Sequence, residues 1–214
     1  MKLLLPNDWG GVTLREYQAY IALMKEAGAK LEITTDAKIT NFESECAIIS
    51  LFSGGDMDEI LQLNMNAHNR AYNELGFLSQ PIFGKVSTKV KVNGNKYYFE
   101  KNPRKINGGQ YIALNHFLTD TDKIDENLHN LLACFALDRK WFKNTYNADR
   151  HEDVAKDLLD LPMTTVKPLT DFFLSNYQNY IKNMSLFLGV VEKGLIRQVR
   201  KLKHSSQSTD GLTL

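Results

Sequence analysis

Asp149, His151, Glu152 and Asp153 crowd into five residues, DRHED. A metal-dependent nuclease or hydrolase uses carboxylates and imidazoles of this kind as ligands or bases. The same residues also suit a helix start, because acids offset the positive end of the helix dipole. Asp56, Asp58 and Glu59 have that explanation too. His68, His116 and His129 fall singly within helical patterns, and the five histidines do not converge in spacing. Cys46 and Cys134 sit in the apolar runs CAIISLF and LLACFAL. They read as buried free thiols rather than a zinc or redox pair. The glycine pairs of Ser53-Gly-Gly-Asp56 and Asn107-Gly-Gly-Gln110 lack the Lys-Ser/Thr of a phosphate-binding loop. They are expected to end and start helices. No catalytic residue, cofactor or metal is implied, and the expectation is a protein that is not an enzyme.

A different kind of chemistry, charge on an apolar stripe, appears after Gly189. KGLIRQVRKLKH carries Lys193, Arg197, Arg200, Lys201 and Lys203 and no acid. Leu195, Val199 and Leu202 fall at helical spacing within it. Such a row can contact phosphates, or cap a helix end as solvated cations. The apolar stripe favours a third reading, docking on a protein partner. Candidate partner-binding residues are Leu195, Arg197, Val199, Arg200, Lys201, Leu202 and Lys203, joined by Lys89 and Lys91 farther upstream. SSQSTDGLTL, which follows, is polar and reads as disordered on its own.

The elements that hold these residues are mainly helical. Thr13-Leu-Arg-Glu16 is a capping box, and Leu14, Tyr17, Ile21 and Met24 follow at helical spacing, so a helix is expected over 14–26 with Gly28 as its stop. Thr40-Asn-Phe-Glu43 repeats the capping pattern before Cys46–Phe52. Further helices are expected from Asp56, over 66–78, from Asn107 with Tyr111, Leu114, Phe117 and Leu118 inward, over 125–137, from Asp149 to about Leu161, and from Thr164 or Thr165 to 188. Between them, Val86, Thr88, Val90 and Val92 alternate with Ser87, Lys89 and Lys91. Asn93-Gly94 is a strong tight-turn signal, and Tyr97 and Phe99 alternate beyond it. One β-hairpin at about 86–100 is expected, apolar on one face and lysine-bearing on the other. An isolated hairpin is marginal in water, so it must pack on the helices or pair with a neighbour. The fold class is mainly α with one β-hairpin (α+β). Residues 1–188 form the helical domain, and 189–214 a basic helix with a polar extension.

The chain has 214 residues and a formal net charge of +1. That size supports a single core without disulfide or metal staples, and the charge implies no global pull toward nucleic acid or acidic membrane. MKLLLPNDW is too short an apolar start for a signal peptide. FFLSNYQNYIKNMSLFLGVV contains Asn, Gln and Lys and is not a membrane span. A reducing cytoplasmic setting is expected.

Four stretches together resemble small tailed-bacteriophage morphogenesis proteins. They are LLLPNDWGGVTLREYQAY, KVNGNKYYFEKNPRKINGGQYIAL, NLHNLLACFAL and LPMTTVKPLTDFFLSNYQNYI. The resemblance covers roughly residues 1–188, and its motifs are structural rather than catalytic. It implies a non-enzymatic protein made in the host bacterial cytoplasm that contacts other phage structural proteins, as a homo-oligomeric ring or in a hetero-assembly. The role implied first is a virion component at the tail or head–tail neck. The alternative is a tail-assembly chaperone absent from the mature virion, and a small metal-dependent nuclease or hydrolase stands third. Nucleic acid as partner is not favoured, and no membrane is expected.

Overall fold

The computed structural model describes residues 3–33, 37–102, 105–119, 123–140 and 143–177. The basic segment 193–204, SSQSTDGLTL and the expected boundary at 188/189 all lie outside these residues. The chain divides into two compact units, 1–173 and 174–214. The first is helical with a small antiparallel sheet, the expected α+β class.

Helix α1 spans Leu14–Ile33. Its capping box forms: Thr13 N donates to Glu16 Oε2 at 2.7 Å, and Glu16 N to Thr13 Oγ1 at 3.3 Å. It runs through Gly28, the expected stop. Gly28 is exposed with nothing within 4 Å of where a Cβ would sit. An interior glycine costs only about 1 kcal/mol, too little to end the helix, which continues to Ile33. That helix, α2, covers Ala37–Ser53, so the Thr40 capping pattern lies inside it rather than before it. Gly54, at φ +67°, ends α2 in the left-handed region that favours glycine. Asp56 then caps α3 (Met57–Leu61) through Asp58 N at 2.8 Å. Asn64 caps α4 (Met65–Glu74), which tightens into a 3-10 turn over Leu75–Ser79.

Strands β1 (Lys89–Val92) and β2 (Asn95–Phe99) form the expected hairpin about Asn93 at φ 50° and Gly94 at φ 79°. Val92, Tyr97 and Phe99 are buried, and Lys89, Lys91 and Lys96 are exposed. Residues 86–88, expected to extend β1, are not strand. Helix α5 (Gly108–Leu118) begins with both halves of the Asn107–Gln110 capping box. Its inward face is Gln110 and Leu114, whereas Tyr111, expected inside, is exposed. The helix expected over 125–137 splits into a 3-10 turn, α6 (Leu128–Phe135) and a strand. That strand, β3 (Ala136–Lys140), pairs antiparallel with β2 and with β4 (Lys143–Thr145). The sheet order is β1-β2-β3-β4. The hairpin is therefore not isolated: β2 has a partner on each side, and β1 is the edge strand of the described sheet.

Helix α7 (His151–Leu158) leads through Pro162 into α8 (163–177), which begins slightly before the expected Thr164. Here two helix termini satisfy one another. Leu14 N and Arg15 N, unpaired donors at the start of α1, bond Leu161 O at 2.8 Å and Leu159 O at 2.9 Å, just past the end of α7. Met163 N returns a bond to Val12 O at 2.8 Å. The core lies under this junction, where Leu131, Leu132, Leu158, Val166 and Leu169 are fully or almost fully buried. Phe135 stacks on Phe173 with ring centres 4.3 Å apart, and Phe99 of the hairpin lies 5.9 Å from the same ring. Pro168 has no N–H for the Thr164 carbonyl. Gly84 fits against that carbonyl so closely that a Cβ would sit 1.9 Å from its oxygen.

Candidate functional site

Two surface regions have the geometry to do something. The first is the hairpin and the acidic end of α7. Asp157 and Asp160 stand three residues apart at the negative end of that helix, where carboxylates are unfavourable. Donors from elsewhere hold them. Asn93 Nδ2 reaches Asp157 Oδ1 at 3.2 Å and Asp160 Oδ2 at 2.9 Å. Asn95 Nδ2 and the Tyr97 hydroxyl both donate to Asp157 Oδ2, at 2.7 and 2.5 Å. Arg15 closes the arrangement on Asp160 Oδ1 at 3.1 Å. Desolvation pushes the Asp157 carboxyl up, but the hydrogen bonds from Tyr97, Asn95 and Asn93 outweigh it and its pKa is lowered. The Asn93 bond, against weaker desolvation, likewise lowers Asp160. The hairpin turn is thus tied to α7 and α1 at once.

The face turned away carries the lysines. Lys89 Nζ lies 5.9 Å over the ring of its cross-strand partner Tyr98. Lys91 stands opposite Lys96, a like-charge pair that costs some hairpin stability. Edge-strand lysines discourage pairing with a stray strand, so this face suits polar contacts better than sheet extension. Of the candidate partner-binding residues, only Lys89 and Lys91 are described. Leu195, Arg197, Val199, Arg200, Lys201, Leu202 and Lys203 lie outside.

The second region is a groove of about 300 Å³ on the α1–α2 pair. Leu23, Met24 and Ala27 line it from α1, Ala47 and Ile48 from α2, and Met57 and Leu61 from α3. Met24 keeps 45% of its surface exposed and Leu61 43%. Sequence reasoning placed Met24 on the inner stripe of α1, whereas the fold turns it to this groove. The charged residues among the lining are Glu26 and Glu43, both acidic. No sequence signal marked the groove, because its walls come from three helices with ordinary amphipathic patterns.

The DRHED cluster does not converge. Asp149, Glu152 and Asp153 are exposed around the start of α7. His151 turns inward instead: its Nδ1 lies 3.0 Å from the Tyr146 hydroxyl and its ring stacks on Phe117 at 5.5 Å. Burial lowers the His151 and His129 pKa values, favouring neutral rings. His68 is buried beside the Phe42 ring, 3.8 Å from Glu45. Among the described residues, no group of three or more His, Cys, Asp or Glu is placed to hold a metal ion. Cys46 and Cys134 are buried and unpaired with each other, and burial pushes the Cys134 thiol up to about 12. The two glycine pairs serve helix ends, as expected. Among the described residues, no helix is long and apolar enough to cross a membrane.

No protein-family model, curated protein or solved structure matches this chain.

Proposed function

We propose that the chain is a non-enzymatic morphogenesis protein of a tailed bacteriophage, working through contacts with other proteins. The resemblance of its four sequence stretches to that class suggests the setting. The open apolar groove between α1, α2 and α3 is the observation that carries the reading. Exposed Met24 and Leu61 beside partly covered Leu23 offer an apolar surface that another protein's side chains can fill, while Glu26 and Glu43 border it. Grooves of this build accept the apolar face of an amphipathic helix.

Of the two roles, the groove favours the tail-assembly chaperone, which must hold an apolar segment of another phage protein and then release it. A virion position at the tail or head–tail neck draws its support from the hairpin, whose turn is clamped by Asp157 and Asp160 and whose lysines form a fixed outer face. A hydrolase built on residues 149–153 draws no support, because His151 turns away from the exposed acids.

Mass spectrometry of purified mature particles, alongside infected lysate, tests the reading. Presence in lysate and absence from particles is the expected result for the chaperone. Stoichiometric presence in particles overturns that role in favour of the virion component. A deletion that leaves particle yield and morphology unchanged overturns both.

A further inference from the structure

We propose that the groove between α1, α2 and α3 is also the receptor for residues 193–204 of a second copy of this chain. This rests on the reading that the chain acts through protein–protein contacts, and it names one such contact. The argument is complementarity between two surfaces. The groove is apolar in its floor, and its charged lining residues, Glu26 and Glu43, are acidic. Asp58 and Glu59 add negative charge on α3, the same short helix that supplies Met57 and Leu61. The segment KGLIRQVRKLKH has the opposite charge, five Lys or Arg and no acid. Leu195, Val199 and Leu202 recur in it at helical spacing, so a helix formed on docking would carry three apolar side chains on one face over about two turns. The α1 wall from Leu23 to Ala27 and the α2 wall from Glu43 to Ile48 are each one to two turns long.

The contact is head-to-tail, groove of one copy to tail of the next, and so it builds chains or rings rather than a closed symmetric pair. It also covers the groove until another apolar segment displaces the tail. Apolar burial supplies the affinity, and the charges set orientation and suppress wrong partners.

The test is self-association of the full-length chain by sedimentation, at concentrations up to about 100 µM, where weak specific contacts register. Glu26→Lys with Glu43→Lys, both exposed positions, is expected to weaken association by about tenfold or more with an unchanged circular dichroism spectrum. Arg197→Glu with Arg200→Glu is expected to do the same. Mixing the two variants is the decisive arm. Two head-to-tail pairings are then possible in addition to those of each variant alone, and the one joining the unaltered groove of the Arg197/Arg200 variant to the unaltered tail of the Glu26/Glu43 variant is the wild-type contact. Association of the mixture above that of either variant alone supports the inference. A wild-type chain that stays monomeric overturns it, as does a mixture no stronger than its components. Loss of salt-sensitive DNA binding in the Arg197/Arg200 variant, with self-association unchanged, also overturns it and assigns the basic row to nucleic acid. None of these outcomes decides particle composition, so the morphogenesis reading fails or stands separately.

Discussion

The hairpin and the groove are built by opposite means. The hairpin holds its position through directed polar bonds: Asn93, Asn95 and Tyr97 on Asp157, Asn93 and Arg15 on Asp160. Its apolar side is already covered, with Phe99 against Phe173 and β3 along β2. The groove has apolar surface left over among the described residues, with Met24 and Leu61 half exposed. The first region contributes to the stability of the fold. The second, half exposed, contributes less to it.

The sharpest way to break this contrast is Phe99→Ala. It removes a buried ring from the contact with Phe173 and should lower unfolding free energy by about 3–5 kcal/mol, measured by denaturant titration. Asp157→Ala comes next. It strips three donors of their shared acceptor, and because the site is partly exposed the loss should be about 1–2 kcal/mol. A double-mutant cycle with Tyr97→Phe should show a coupling of about 0.5 kcal/mol or more. Additive losses would mean that the short Tyr97 bond contributes nothing of its own.

A pH titration separates the regions without mutation. Asp157 and Asp160 have folded pKa values below their ordinary value of 3.8. The folded state therefore binds these protons less readily than the unfolded chain. Their contribution is complete above that ordinary value and is lost as pH falls through the lowered folded values. The side-chain amide resonances of Asn93 and Asn95 should hold steady from about pH 6 to pH 4 and move only in stronger acid. Movement near neutrality would mean that the carboxylates are not what holds the turn. The smallest expected effect on stability lies in the groove. Met24→Ser should change unfolding free energy by no more than about 0.5–1 kcal/mol, while weakening whatever binds there. A loss of several kcal/mol would place Met24 in the core after all.

Local chemistry made much of this fold legible. The Thr13–Glu16 and Asn107–Gln110 capping boxes, the Asp56 cap, the Gly54 stop and the Asn93-Gly94 turn are each decided by groups a few residues apart, and each forms as the sequence implies. The alternation that buries Tyr97 and Phe99 and exposes Lys89 and Lys91 is set by the two-residue period of a strand. What failed was whatever depended on distant partners. Gly28 reads as a stop, but the helix runs past it to Ile33. Ala136 and Leu137 continue a helical pattern, yet they turn into strand because β2 offers them an unpaired edge. Asp157 and Asp160 look like misplaced acids at a helix end until Asn93, Asn95, Tyr97 and Arg15 arrive from 60 or more residues away to meet them. The groove exists only where three helices leave a gap. Sequence alone thus determined caps, turns and strand faces, because their energies are local. Tertiary structure decided the sheet partner, the acidic clamp and the open groove, because each is a contact between segments whose separation along the chain says nothing of their distance in space.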